Sequence, residues 1–239
     1  MPKKESAEDL ARMRQEFVAN VSHELKTPIT LIKGFVETLM DGAKDDPIEL
    51  ERFLRIIQTH ADRLDAIIED LLSLSRIEQD QDNARITFET VRLKSVFDRV
   101  IQSCELAIKQ KNIVVISACP DEIVCQANPA LLEQALINLL DNAIKYGPAK
   151  STVALSCRKS KGEIQISVAD EGRGIEEKHL PYIFQRFYRV DKGRSRKEGG
   201  TGLGLAIVKH IIQAHGGQIE VESELDKGSI FTISLPIRK

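Results

Sequence analysis

Ser22-His23-Glu24-Leu25-Lys26-Thr27-Pro28 combines a histidine, an adjacent carboxylate and, four residues on from the histidine, a hydroxyl. In a helix His23 and Thr27 share one face. Val21 and Leu25, two residues to either side of His23, are turned away by about 200°. The apolar line Phe17, Val21, Leu25, Ile32, Phe35 and Leu39 then marks a buried stripe, with His23 presented to solvent. Pro28 cannot donate to the carbonyl of Glu24, so a kink is expected there. An imidazole is a usable nucleophile near neutral pH. A neighbouring carboxylate can hold one ring N–H and take its proton while the other nitrogen faces an electrophile. A lone surface histidine is more often just solvated, so the rest of the chain must supply the electrophile.

Three further stretches bear on that. Asn138 and Asn142 stand one helical turn apart with Lys145 beyond them. Amide oxygens are hard, neutral ligands suited to magnesium, and a lysine can meet phosphate charge. The plain alternative is a solvated helix face, but Leu136, Leu139, Leu140, Ala143 and Ile144 define the core side with Asn138 on its border. Asp170-Glu171-Gly172-Arg173-Gly174-Ile175 follows a strand-like run. Its carboxylate could accept the exocyclic amine of adenine, with glycines letting backbone approach the ring; the same residues could equally make a tight turn. Gly199-Gly200-Thr201-Gly202-Leu203-Gly204-Leu205 opens a helix, where converging amides and the positive helix end favour an anion. It matches neither the dinucleotide fingerprint nor a Walker loop, and the serine/threonine kinase motifs are missing. Between these last two lie the aromatics of Ile183 to Arg189, expected at the base of a mobile cover over 190–198. Gly193, Gly199 and Gly200 are its candidate hinges, and Phe184 and Phe187 could equally be core.

The elements that must hold these residues follow from periodicity. Residues from about Ala7 to Met40 read as one helix, broken by Asp41 to Pro47. A second helix from about Ile48 carries a seam of Leu50, Leu54, Ile57, Ala61, Leu64, Ile68, Leu71 and Leu74. One hairpin has too little surface to bury both stripes, so dimerisation into a four-helix bundle is expected. His60 falls outside the seam and reads as an ordinary surface residue. Polar, unpatterned 75–83 is expected to be the boundary between domains 1–79 and 84–239. Beyond it, strands are expected at Ile86 to Thr90, Ile113 to Ser117, Ile123 to Cys125, Val153 to Cys157, Ile164 to Ala169, Gln218 to Glu222 and Ser229 to Leu235. Helices are expected over Leu93 to Lys109, from the Asn128-Pro129 cap to Lys145, and over Leu203 to His215. The fold class is α+β: a helical hairpin, then a mixed sheet with helices on one face.

Composition narrows the function. A net charge of −2 over 239 residues leaves no basic footprint for nucleic acid. Cys104, Cys119, Cys125 and Cys157 show no zinc spacing and read as reduced cytosolic thiols. No run of eighteen apolar residues and no signal peptide is present, yet the chain opens in helical rhythm as though cut from a longer helix.

SHELKTP resembles the phosphoacceptor motif of sensor histidine kinases in two-component systems. The three later stretches and the aromatic segment resemble, in order, the N, G1, F and G2 boxes of the same family's catalytic domain, a relative of the gyrase, Hsp90 and MutL ATPases. The resemblance implies ATP-dependent phosphorylation of His23 and transfer to an aspartate of a response-regulator receiver domain. Glu24 would orient the ring and accept its proton, and Thr27 would serve dephosphorylation of the regulator. Thr30 and Gly34, on the same face, would let it dock closely. Asn138 and Asn142 would handle Mg2+ and phosphates, Lys145, Tyr146 and Arg189 would line the nucleotide, and Asp170 would read adenine. Gly172, Gly174, Ile175, Gly200, Thr201, Gly202, Leu203, Gly204 and Leu205 would shape the pocket and lid. The implied protein is a homodimer, anchored in a membrane upstream of this cytoplasmic portion. Two rivals remain at this point: a stand-alone ATPase whose hairpin only dimerises, and a dimeric scaffold without enzymatic activity.

Overall fold

The computed structural model describes residues 7–82, 85–160, 162–191 and 200–237. It divides into two compact units, Met1–Leu72 and Ser73–Lys239.

The first unit is a helical hairpin. Helix α1 (Ala7–Met40) continues through Pro28. Gly42, at a φ of 123° that suits only glycine, turns the chain into a short 3-10 segment, Ala43–Asp45. Helix α2 (Pro47–Asp82) then starts on Asp46, whose Oδ1 accepts the backbone N–H of Ile48 at 2.9 Å. Pro47 takes the first helical position, where no N–H is needed. On α1 the expected stripe holds: Phe17, Val21, Leu25, Ile32 and Phe35 are half-buried and Leu39 is buried. Phe35 and Phe53 pack with ring centroids 5.4 Å apart. On α2 the expected seam is buried only in part within the single chain, as a stripe left for a second hairpin would be. Leu54 and Ile68 are 51% and 41% exposed, whereas Ile67, outside the expected seam, is fully buried. Apolar side chains therefore leave this helix in two directions. His60 is half-buried rather than a surface residue, and burial with the nearby Arg63 charge pushes its imidazole down from the usual value.

In the second unit β1 (Glu89–Arg92) pairs antiparallel with β3 (Val124–Ala127). A five-stranded sheet takes the order β2-β4-β5-β7-β6. Its strands are β2 (Val114–Ala118), β4 (Thr152–Ser160), β5 (Glu163–Asp170), β6 (Gln218–Glu224) and β7 (Gly228–Pro236). Only β2 and β4 run parallel. Alternation with period two puts Val153, Leu155, Ile164, Ile166, Val168, Phe231, Ile233 and Leu235 on the buried side. Helices α5 (Pro129–Tyr146) and α6 (Gly204–Ala214) cover that side, and α3 (Leu93–Ser103) packs on α5. Leu132, Leu136, Leu139, Leu140, Ile207 and Ile211 fill the space between. A mixed sheet with helices on one face is the architecture expected.

Two local expectations fail. The first strand lies at Glu89–Arg92, and Ile86 and Phe88 precede it without strand geometry. The helix expected over Leu93 to Lys109 breaks at Cys104, with α4 (Glu105–Lys111) following. In the polar stretch 75–83, α2 continues to Asp82, with Leu74 and Ile77 buried three residues apart. Ser73 Oγ accepts from Gln134 Nε2 at 2.8 Å, and Glu78 accepts from Arg186. These contacts give the polar segment a packed face that composition does not reveal. The candidate hinges Gly193 and Gly199, with most of the expected cover, lie outside the described residues.

Candidate functional site

In the hairpin, His23, Thr30 and Gly34 are exposed, and Glu24 and Thr27 are half-buried. Thr27 Oγ1 donates to the carbonyl of His23 at 3.1 Å, so the two sit one turn apart as their spacing requires. An alanine methyl at Gly34 would meet no atom within 4 Å. Glu24 Oε2 accepts from Arg63 Nη2 at 2.9 Å, with side-chain exposures of only 18% and 9%. This charge-assisted bond ties the carboxylate beside His23 to α2. Arg63 has no local signature, because its partner is 39 residues away.

The second unit gathers the other residues around the ends of α5, β5 and α6. Asn128 caps α5 by accepting the N–H of Leu131 at 3.1 Å, with Pro129 at the first helical position. Its own N–H donates to Nε2 of buried His215 at 3.0 Å, while His215 Nδ1–H donates to the Ile211 carbonyl at 2.7 Å. The end of α6 thereby fixes the start of α5. At the other end of α5, Lys111 Nζ donates to the carbonyls of Ile144, Lys145 and Gly147 at 2.8, 2.6 and 3.2 Å. A cation there complements the negative helix end. Both His215 and Lys111 escape a reading of local motifs, since their partners lie far along the chain.

Along α5, Asn138 and Asn142 are half-buried one turn apart. The Asn138 amide Nδ2 is buried with no hydrogen-bond partner among the described residues, and its Oδ1 lies 3.6 Å from where a side chain on Gly204 would begin. An orphaned amide next to the first residue of a helix is costly unless something else satisfies it. Next to α5's end, Lys145 Nζ lies 5.8 Å and the Arg173 guanidinium 5.1 Å from the Tyr146 ring centroid.

Asp170 closes β5 half-buried. Burial pushes its carboxyl above the usual range, against the opposing pull of backbone N–H donors at Gly172 and Ser229. The Gly172 N–H reaches Oδ1 at 2.7 Å. A β-carbon on Gly172 would stand 2.6 Å from that oxygen and 3.1 Å from the Tyr146 carbonyl. Gly174, at φ 66°, would place one 1.9 Å from the Glu224 carbonyl. The close approach these glycines permit is therefore to protein backbone, which clamps the loop between α5 and the β6–β7 turn. Ile175 N–H donates to Ser223 Oγ at 2.8 Å within the same clamp.

Ahead of α6, Gly202 (φ 78°) accepts the Phe187 N–H at 2.8 Å. A methyl there would fall 3.0 Å from Phe187 Cα and 3.3 Å from Arg189 Nε. Phe187 itself holds φ 63°, a strained conformation for an aromatic residue. Thr201 Oγ1 accepts the N–H of Leu203, which is fully buried; Gly200, Gly204 and Leu205 are half-buried. Phe184 packs edge-on against Phe231 at 6.4 Å.

Residues 13–80 match the His Kinase A (phospho-acceptor) domain, and residues 127–239 match the histidine kinase-, DNA gyrase B- and HSP90-like ATPase domain. The chain is 38% identical over 235 residues to the sensor histidine kinase WalK of Bacillus subtilis, covering 97% of this chain and 38% of WalK. It is 36% identical over 229 residues to the sensor protein SrrB of Staphylococcus aureus, covering 95% of this chain and 39% of SrrB. It therefore spans about two fifths of these relatives' length. Among solved structures, the Acinetobacter baumannii histidine kinase AdeS superposes with a TM-score of 0.72 at 30% identity, over 91% of this chain and 98% of AdeS. The histidine kinase ThkA, solved in complex with the response regulator protein TrrA, superposes with a TM-score of 0.76 at 27% identity, over 97% of this chain and 66% of ThkA's. Both domains in their order, and likeness to AdeS over nearly its whole length, establish that the chain belongs to the sensor histidine kinases of two-component systems.

Proposed function

We propose that residues 1–79 form a dimerisation and phosphotransfer hairpin and residues 84–239 an ATP-binding catalytic domain. The chain phosphorylates His23 from ATP and passes the group to an aspartate on a response-regulator receiver domain. The observation that carries this is the exposed His23 imidazole on a helix whose opposite stripe is half-buried to buried. Exposure serves a chemical acceptor that must meet two partners in turn; it does nothing for the core. ThkA, crystallised with a response regulator, supports the second partner.

The site chemistry fits a nucleotide with its metal. Mg2+ neutralises phosphate charge when bound, and the oxygens of Asn138 and Asn142 would hold it, while the Asn138 Nδ2, an N–H donor, fits a phosphate oxygen rather than the metal. Asp170 would accept the adenine amine, with Gly172, Gly174 and Ile175 setting the loop beside it. Lys145, Tyr146 and Arg189 line the nucleotide. The segment Gly200, Thr201, Gly202, Leu203, Gly204 and Leu205 offers backbone amides at the start of α6 to phosphate. Glu24, held by Arg63, orients the His23 ring and takes its proton, which leaves the other ring nitrogen facing the phosphoryl group. Thr27 is assigned to dephosphorylation of the regulator. Exposed Ile29, Leu31, Val36, Leu54 and Ile68 are the apolar surface that a second hairpin would cover in a homodimer. No helix of the described residues is long and apolar enough to cross a membrane. The chain is proposed to be the cytoplasmic portion of a longer, membrane-anchored sensor.

Incubation with Mg2+ and γ-labelled ATP tests the proposal. An acid-labile label mapping to the His23 peptide, lost in His23→Gln while ATP binding persists, is expected. Label retained in that variant, or none in the wild type despite bound ATP, overturns it.

A further inference from the structure

Cys119 follows directly on β2, and Cys157 lies within β4. These strands run parallel with Ala118 beside Ser156, so one more step of the register sets Cys119 beside Cys157. The two Sγ atoms touch at 2.6 Å, and both are free thiols. Neighbouring strands lie about 4.8 Å apart, within the Cα separation that a disulfide spans, so the backbone is already placed for the bond.

We propose that Cys119 and Cys157 are a reversible disulfide site, closed by exchange with a small-molecule disulfide, that pins the β2–β3 corner to β4. A cleft of about 700 Å³ opens over the pair, lined by Ala118, Cys119, Cys157, Arg158, Gln165 and Thr232 among others. Cys119 is the more exposed residue of the pair, and the cleft lining carries both a cation, Arg158, and a carboxylate, Glu222, so a small zwitterionic disulfide such as oxidised glutathione is the oxidant to use. Burial pushes both thiols up, and the bond between them opposes this at Cys119 and adds to it at Cys157. Cys119, the half-buried one of the pair beside a buried Cys157, is the attacking sulfur.

The exchange runs in two steps. Cys119 loses its proton, and its thiolate bonds to one sulfur of the oxidant, breaking the oxidant's S–S bond and releasing one thiolate. Cys157 then gives up its proton and attacks Cys119 Sγ, expelling the second thiolate. The two released protons go to the two released thiolates, and two electrons pass from the protein dithiol to the oxidant. The bond closes a loop between residues 38 apart that contains β3 and the whole of α5. Closing it should raise the thermal midpoint by about 5–10 °C.

The test is incubation of the whole chain with oxidised glutathione, followed by alkylation, non-reducing digestion and mass mapping. A Cys119–Cys157 linked peptide with the loss of two hydrogens, a raised thermal midpoint, and reversal of both by dithiothreitol are expected. Cys157→Ser should stop at a glutathione adduct on Cys119. Wild type that stops at this adduct, links Cys119 to Cys125 instead, or leaves both thiols alkylatable overturns the proposal.

Discussion

Asp170→Asn separates a carboxylate kept for a ligand from one kept for the fold. In the folded chain one carboxylate oxygen accepts the Gly172 N–H at 2.7 Å, and an asparagine carbonyl can take over that bond. The other oxygen becomes an NH2 donor, which would meet the adenine amine of the proposed site donor to donor and leaves one acceptor oxygen for the two backbone donors, Gly172 and Ser229. Losing a hydrogen bond to a charged acceptor costs about 1.5–3 kcal/mol, so ATP should bind about 10–150-fold more weakly. The pH-dependent part of stability should move the other way. Burial raises the folded-state pKa of Asp170, so the folded chain holds the proton more tightly than the unfolded one. The cost of the ionised form is absent in acid, below the ordinary carboxylate pKa, and complete above the raised one. As pH rises through that window the wild type loses stability relative to Asp170→Asn, and towards acid the gap closes. Calorimetric titration with ATP and thermal melts from mildly acidic to mildly alkaline pH measure both. A variant that melts well below wild type at alkaline pH and still binds ATP with unchanged affinity would refute the reasoning, and would make Asp170 an anchor for its own loop.

Two other substitutions probe the positioning of the site. Arg63→Met leaves the Glu24 carboxylate nearly buried without that partner, so urea unfolding followed by circular dichroism should show a loss of about 2–4 kcal/mol, partly recovered in Glu24→Gln/Arg63→Met. Gly202→Ala puts a methyl at φ 78° and 3.0 Å from Phe187 Cα. It should cost about 1–2 kcal/mol and, by displacing the segment at Phe187 to Arg189, weaken ATP binding about tenfold or more, measured by fluorescence titration.

What could be read from the sequence was whatever a few neighbouring residues decide. The Asn128-Pro129 cap, the helical face of His23 and Thr27, and the turn at Asp226 to Gly228 depend on contacts within one or two turns of chain, and all stand where expected. What could not be read was decided by distant partners. Ile86, Phe88 and Thr90 alternate like a strand, but the ladder forms where β3 offers its edge, at Glu89–Arg92. The segment 75–83 has loop composition, yet Leu74 and Ile77 are buried and Arg186 reaches Glu78 from 108 residues away.

The same distinction explains the glycines. Their positions in the two glycine-rich segments were visible as a pattern, and a pocket was the natural use for them. In the fold, Gly172 and Gly174 are required first by the Tyr146 and Glu224 carbonyls, and Gly202 by Phe187. A glycine that lets one backbone approach another holds a loop in place at no side-chain cost, so the surface it leaves for a ligand comes preformed. Glycine-held loops around Asp170 and before α6, with an Asn138 amide that has no partner among the described residues, fit the proposed nucleotide site. Motif and scaffold are one set of residues here, and substitution at these glycines should therefore damage folding and binding together, whereas Asp170→Asn should divide them.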